Sequence, residues 1–181
     1  MTAASVFSPW AGYARALGLA SGRQKQWDVV SGLLEAAFGH RLFTALLYLE
    51  EHRLMKRLHT SDESISPLGG FKATGSGPWS RHVLEQGRLY VASNEDDVRS
   101  VFSEAPMLIG RGLQSALNIP VRHEGRVIGS LNLLAGRHAY DEADQDLAAV
   151  IAGLCAPIFL EEMRAAQSAA AQVDRSQLDS V

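Results

Sequence analysis

The stretch 118–135, NIPVRHEGRVIGSLNLLA, constrains the fold more than any other part of the chain. Apolar residues recur at period two on both sides of a glycine-containing turn, the pattern of two paired strands with one buried face. A three-residue loop, His123, Glu124 and Gly125 with the glycine left-handed, pairs Val121 with Val127, Ile119 with Gly129 and Leu117 with Leu131. The odd face is then apolar or glycine at every pair. A two-residue loop would set Ile119 against Ser130 and Leu117 against Asn132, and a slip that mixes the faces is disfavoured where one face is buried. The even face holds Ala116, Asn118, Pro120, Arg122, Ile128, Ser130, Asn132 and Leu134, a mixture that suits neither a core nor a solvated surface.

Other segments read as helices and strands around this pair. Ser8 and Pro9 look like an N-cap and first turn of a short helix through Trp10, Tyr13 and Leu17. Trp27, Val30, Leu33, Leu34 and Phe38 recur at helical spacing in a second helix that Gly39 is placed to end. LFTALLYLE and RLMKRLHT, joined around Glu51 and His52, favour a hairpin whose first strand is apolar on both parities and so belongs mid-sheet. Residues 61–77, SDESISPLGGFKATGSG, have no periodic apolar positions and read as a long loop, a class that is usually functional or disordered. Pro78 opens a helix WSRHVLEQ stopped by Gly87, Leu89–Val91 is a brief strand, and Asn94 caps an acid-initiated helix. Asp141, Asp144 and Asp146 precede a long helix that Pro157 is expected to kink. Beyond Ala171 the polar sequence AQVDRSQLDSV is expected to fray or be disordered.

Length and charge narrow the function classes. A chain of 181 residues, 46% hydrophobic, suits one domain with a sizeable core. With 17 basic and 20 acidic residues there is no broad basic field for a phosphate backbone, so no nucleic-acid partner is expected. No apolar run approaches the roughly 20 residues of a membrane span, and the N-terminus lacks the charge pattern of a leader, so no membrane association and a cytoplasmic location are the expectations. The single cysteine, Cys155, lies among apolar residues at helical spacing and reads as an inert core thiol. GSGPW lacks the lysine and hydroxyl residue of a phosphate-binding loop, and the six histidines show no metal-binding spacing.

GLQSALNIPVRHEGRVIGSLNLLA followed by AYDEADQDLAAVIAGL resembles the C-terminal half of a GAF domain, and GSGPWSRHVLEQGRLYVASNEDDVRSVF is similar to the segment that closes over the ligand in that family. The resemblance spans roughly residues 25–162, most of a domain of this size. It implies an α+β fold, with a central antiparallel sheet of about six strands, terminal helices on one face, and a pocket roofed by short helices and loops on the other. The organisation expected is an N-terminal helical extension over 1–24, a GAF-like domain over 25–166 and a polar tail over 167–181.

On that plan the odd face takes the helices and pocket duty falls to the even face. Asn118, Ser130 and Asn132 share it at period two and can converge on a ligand, or can instead satisfy nearby backbone groups. Trp79 and His82, three apart on the roof helix, can stack on and hydrogen-bond a planar ligand, or be core and surface respectively. Asn94, Glu95, Asp96 and Asp97 can meet a cationic group or a hydrated ion, but a helix N-terminus explains the same residues with no ligand.

No catalytic set is defensible from spacing. The free methionine sulfoxide reductase branch of the family uses reactive cysteines and pocket carboxylates; here Cys155 has no partner thiol, and Ala116, Asn132 and Leu134 stand where the carboxylates would be. The cyclic-nucleotide and bilin signatures are not matched, and although some members bind haem through histidine, nothing selects one here, so the cofactor stays open. The expectation is a small-molecule-binding sensory or regulatory module, whose output would lie in a partner chain or in a homodimer formed by the terminal helices. The alternatives are a dimerisation module with a vestigial pocket and a cofactor- or metal-dependent enzyme.

Overall fold

A run of apolar residues on both parities makes β1 (Leu42–Leu49) the strand around which the sheet is built, and seven of its eight residues are buried. A single turn of tight helix at Glu50–His52, followed by Arg53 in the left-handed conformation, returns the chain into β2 (Leu54–Thr60), antiparallel to β1. The computed structural model describes residues 3–171 and 173. Its six strands form one antiparallel sheet in the order β3-β2-β1-β6-β5-β4, with β3 at Phe71–Ala73, β4 at Tyr90–Ala92, β5 at Ser115–His123 and β6 at Arg126–Ala135. The α+β architecture expected from the sequence is the one observed.

The hairpin corrects one inference and upholds another. Its turn has two residues, Glu124 and Gly125, both at positive φ (49° and 78°), as a primed turn requires. The register then shifts between Val121 and Arg122, so that Val121 faces Gly129 while Arg122 faces Val127. Ile128 is thus an extra residue on β6, and this bulge restores the parity that a two-residue turn alone would have destroyed. Pairing beyond it runs Ile119 to Leu131, Asn118 to Asn132 and Leu117 to Leu133, two residues from the register expected with a three-residue loop. Odd residues still face odd residues. The bulge also exchanges its own neighbours: Ile128 joins the helix-side core and Val127 the opposite side, the reverse of their expected placing.

The odd face is covered by α2 (Arg23–Phe38) and α5 (Gln145–Ala170), with α1 (Ala3–Leu19) against α2. Trp27, Val30, Leu33, Ile151, Cys155 and Phe159 pack on Ile119, Leu131 and Leu133. Gly129 is required here because a Cβ would lie 2.3 Å from the Phe159 ring and 2.4 Å from the Leu46 carbonyl oxygen. Asp144 caps α5, accepting from the amides of Asp146 and Leu147 at 2.9 and 3.0 Å. The helix runs through Pro157 without ending and continues to Ala170; most of the polar tail lies outside the described residues. At the N-terminus, α1 begins at Ala3, so Ser8 is not its cap and Pro9 sits inside the helix, where it removes one backbone donor.

Two short elements were not legible in the sequence. The segment read as a structureless loop contains β3, which pairs Phe71 with Lys56 and Ala73 with Leu54 on the open edge of β2. Three residues are too few to show alternation. Residues Ala105–Gly110 form a short helix, α4, after α3 (Glu95–Val101), whose cap Asn94 accepts from the amides of Asp96 and Asp97.

Candidate functional site

The even face of the sheet is roofed rather than solvated. Above it lie the 61–70 loop, the helix that carries Trp79 and the α3–α4 pair, and between roof and sheet is a cavity of about 470 Å³. Thr44 and Leu46 of β1, Met55 and Arg57 of β2, and Asn132 and Leu134 of β6 form the floor. Leu68, Phe102 and Met107 are among the apolar residues of the roof. The volume lies within the range of small-molecule sites, roughly 300–1,000 Å³, and a mainly apolar wall with few polar groups is the usual lining.

Of the five residues singled out in the sequence, Trp79 and Asn132 line this cavity, whereas His82, Asn118 and Ser130 do not. Three of them nevertheless form one hydrogen-bonded chain. Trp79 Nε1 donates to Asn118 Oδ1 at 2.9 Å, Asn118 Nδ2 donates to Asn132 Oδ1 at 2.9 Å, and Asn132 Nδ2 reaches the Thr44 carbonyl at 3.5 Å. The chain ties the roof to β5, β6 and β1, and it exists because the bulged register sets Asn118 directly opposite Asn132. Asn118 therefore spends its amide on its neighbours. Ser130, also fully buried, has a hydroxyl with no partner among the described residues.

His82 is drawn away by the helix it sits on. After Pro78 the helix widens into a π-helical turn over Ser80–Glu85, closed by the Gln86 amide on the Arg81 carbonyl, so the three-residue spacing to Trp79 no longer defines one face. Its Nε2 lies 3.0 Å from the Leu89 carbonyl, and its ring meets Tyr90 edge-on at 5.8 Å.

Arg57 is the residue that sequence reasoning missed. A bulge at Leu58 on β2 lets Arg57 face Leu46 on the cavity side while His59 faces Ala45 on the helix side. The signal was available: Lys56 and Arg57 are adjacent on a strand next to one buried on both faces, so one of the two had to lie over covered ground. Burial pushes the Arg57 guanidinium below its ordinary pKa, while Glu104 opposes the shift. An arginine remains charged at neutral pH under such a shift. Lys72 and Glu104, 3.7 Å apart, are the other ionisable residues of the lining.

The model of the family described as GAF domain matches residues 28–159. The chain belongs to the GAF domain family. Solved structures agree on the fold. The GAF domain of an Acinetobacter phosphoenolpyruvate-protein phosphotransferase superposes with a TM-score of 0.66 at 12% identity, over 91% of this chain and 97% of that one. A type II free methionine-R-sulfoxide reductase from Thermoplasma acidophilum gives 0.61 at 18%, over 77% and 92%. The GAF domain of a two-component sensor histidine kinase from Bacillus halodurans gives 0.53 at 18%, over 83% and 94%. No protein of curated function matches the sequence. In this GAF domain the matched region contains the whole sheet and the roof, and the cavity lies on the sheet face opposite the terminal helices.

Cys155 lies on the other side of the sheet, fully buried among α5 and core residues, and burial pushes its thiol up to about 12. It is a packing residue and does not reach the cavity. Among the described residues no three His, Cys, Asp or Glu side chains gather to hold a metal ion, and no helix is long and apolar enough to cross a membrane.

Proposed function

We propose that this GAF domain is a sensory or regulatory module that binds a small molecule in the cavity between the even face of the sheet and its roof. The observation that carries the reading is the 470 Å³ cavity itself, bordered by one polar pole at Thr44 and Asn132 and a charged one at Arg57. Several roof residues come from the 61–70 loop and the short α4, and a surface loop and a six-residue helix are the kind of element whose position a ligand can alter. Occupancy would thus be read out as a change in the roof and in whatever packs on it. The Bacillus neighbour, from a sensor histidine kinase, supports a signalling context, and the position of Cys155 speaks against cysteine redox chemistry in the cavity.

Thermal-shift and calorimetric screening against metabolites, aromatic acids and nucleotides tests the proposal, with Leu46→Trp as a variant that fills the floor. Saturable binding to the wild type and its loss in Leu46→Trp are expected. A ligand that binds both proteins equally would place the site elsewhere.

A second reading, pairing with another copy of the chain, is favoured by α5. Its outer surface from Ala149 to Leu160 carries no charged side chain, and Val150 is 57% exposed. Sedimentation at tens of micromolar protein decides it, since a monomer at that concentration removes a constitutive dimer.

A further inference from the structure

Charge and donor capacity in the cavity are out of balance. Arg57 and Lys72 supply two cations, and Glu104 supplies one carboxylate, which lies 3.7 Å from the Lys72 ammonium. That pair is well exposed at the rim, 38% and 49%, so Arg57 is the lining cation left without a counter-charge. Arg57 Nη1 donates to the Pro67 carbonyl at 2.7 Å, which fixes the guanidinium against the 61–70 loop. Its Nε is buried and has no acceptor among the described residues. That nitrogen is closed off by protein, so an anion in the cavity would meet the guanidinium through its terminal nitrogens, where a carboxylate makes the charge-assisted bond a guanidinium favours.

We propose that the ligand of this cavity is a small monoanion, a carboxylate carried on an apolar body, anchored by Arg57. The proposal rests on the cavity being a ligand site, as argued above. A single negative charge cancels the surplus, whereas a phosphate dianion would overshoot it and meet Glu104. The apolar body is called for by Leu42, Leu46, Met55 and Leu134, which line the floor beside Thr44 and Asn132. Arg57 also links the ligand to the loop: the residue that would hold the carboxylate is the one that holds Pro67, so occupancy would tighten the roof.

The test uses benzoate, phenylacetate and hexanoate, each beside its primary amide, by ligand-observed NMR and calorimetry on the full chain. The wild type is expected to prefer each acid over its amide by about tenfold or more, the scale of a charge-assisted pair. Arg57→Met, checked for folding by circular dichroism, is expected to bring the acid down to the amide's affinity, and Arg57→Lys to keep part of the preference. Equal binding of acids and amides to the wild type would overturn the anion assignment and leave the cavity reading standing. An acid preference that survives in Arg57→Met would overturn Arg57 as the anchor. Failure of every acid and amide to bind would remove both the cavity reading and this one. The comparison of acid with amide on the wild type stands even if Arg57→Met does not fold.

Discussion

Asn118 and Asn132 face each other across β5 and β6, and the Nδ2 of the first donates to the Oδ1 of the second at 2.9 Å with both side chains buried. Trp79 completes the chain from the roof at 2.9 Å. Asn118→Leu removes both bonds and leaves the Trp79 N–H and the Asn132 carbonyl oxygen buried without partners. Each such orphan costs about 1–3 kcal/mol, so a total loss of about 3 kcal/mol is expected in urea unfolding. In the double variant with Trp79→Phe, one orphan is gone, and the two losses should fall short of additive by about 1 kcal/mol. Full additivity would mean that the indole and the amide do not interact.

Arg57 is expected to behave in the opposite sense. Arg57 is half-buried, with its Nη1 bond to Pro67 exposed; no carboxylate lies at hydrogen-bonding distance among the described residues, and the buried Nε has no acceptor. Replacing a partly desolvated cation that lacks a counter-charge by an apolar side chain of similar length is commonly neutral or stabilising. Arg57→Met in the absence of ligand should therefore unfold at the same temperature as the wild type or higher, with a gain on the order of 1 kcal/mol. A loss above about 2 kcal/mol would show that the bond to Pro67 outweighs the desolvation.

Gly129 makes a prediction about close packing. Alanine there would bring Cβ to 2.3 Å from the Phe159 ring and 2.4 Å from the Leu46 carbonyl. The ring can move, but the backbone of β1 is held by pairs on both sides. Gly129→Ala should cost about 3 kcal/mol, at the upper end for overpacking, and Phe159→Leu should recover only part of it because the carbonyl clash stays. Complete recovery would place the whole conflict at the ring.

The hairpin shows which structural information the residues carried openly. Parity was legible, because a buried face repeats every two residues and a wrong parity would expose it. Register was not, because a shift of two leaves the odd residues up to Val121 opposite odd ones; a two-residue turn with Ile128 bulged and a three-residue loop without that bulge leave the same apolar pattern. That difference of two is what sets Asn118 against Asn132 instead of Ser130. The polar members of the site were therefore named from the sequence while their partners were not. Trp79 was found through the helix start at Pro78, but the π-helical turn after it has no sequence signature, so His82 was placed on the wrong side. Arg57 was hidden for a related reason: which of Lys56 and Arg57 faces the cavity depends on the strand's pairing and its bulge, not on its composition.

His59 supplies the pH dependence. It is 8% exposed, stacked on Trp27 at 5.4 Å and against Phe43 at 5.1 Å, on the sheet face away from the cavity. Burial lowers its pKa from the ordinary 6.5; Asp28 opposes that shift, and His40 adds to it. The native state thus takes up the proton at lower pH than the unfolded chain does. Between the two values the unfolded state binds more protons, so stability falls as pH drops through about 6.5 and levels off only below the native pKa. His59→Phe keeps an aromatic ring between Trp27 and Phe43 and removes the titration. Urea unfolding from about pH 7.5 to pH 5 should show a steeper loss in the wild type than in His59→Phe. Parallel curves would assign the acid sensitivity to other groups and leave His59 as a packing residue alone.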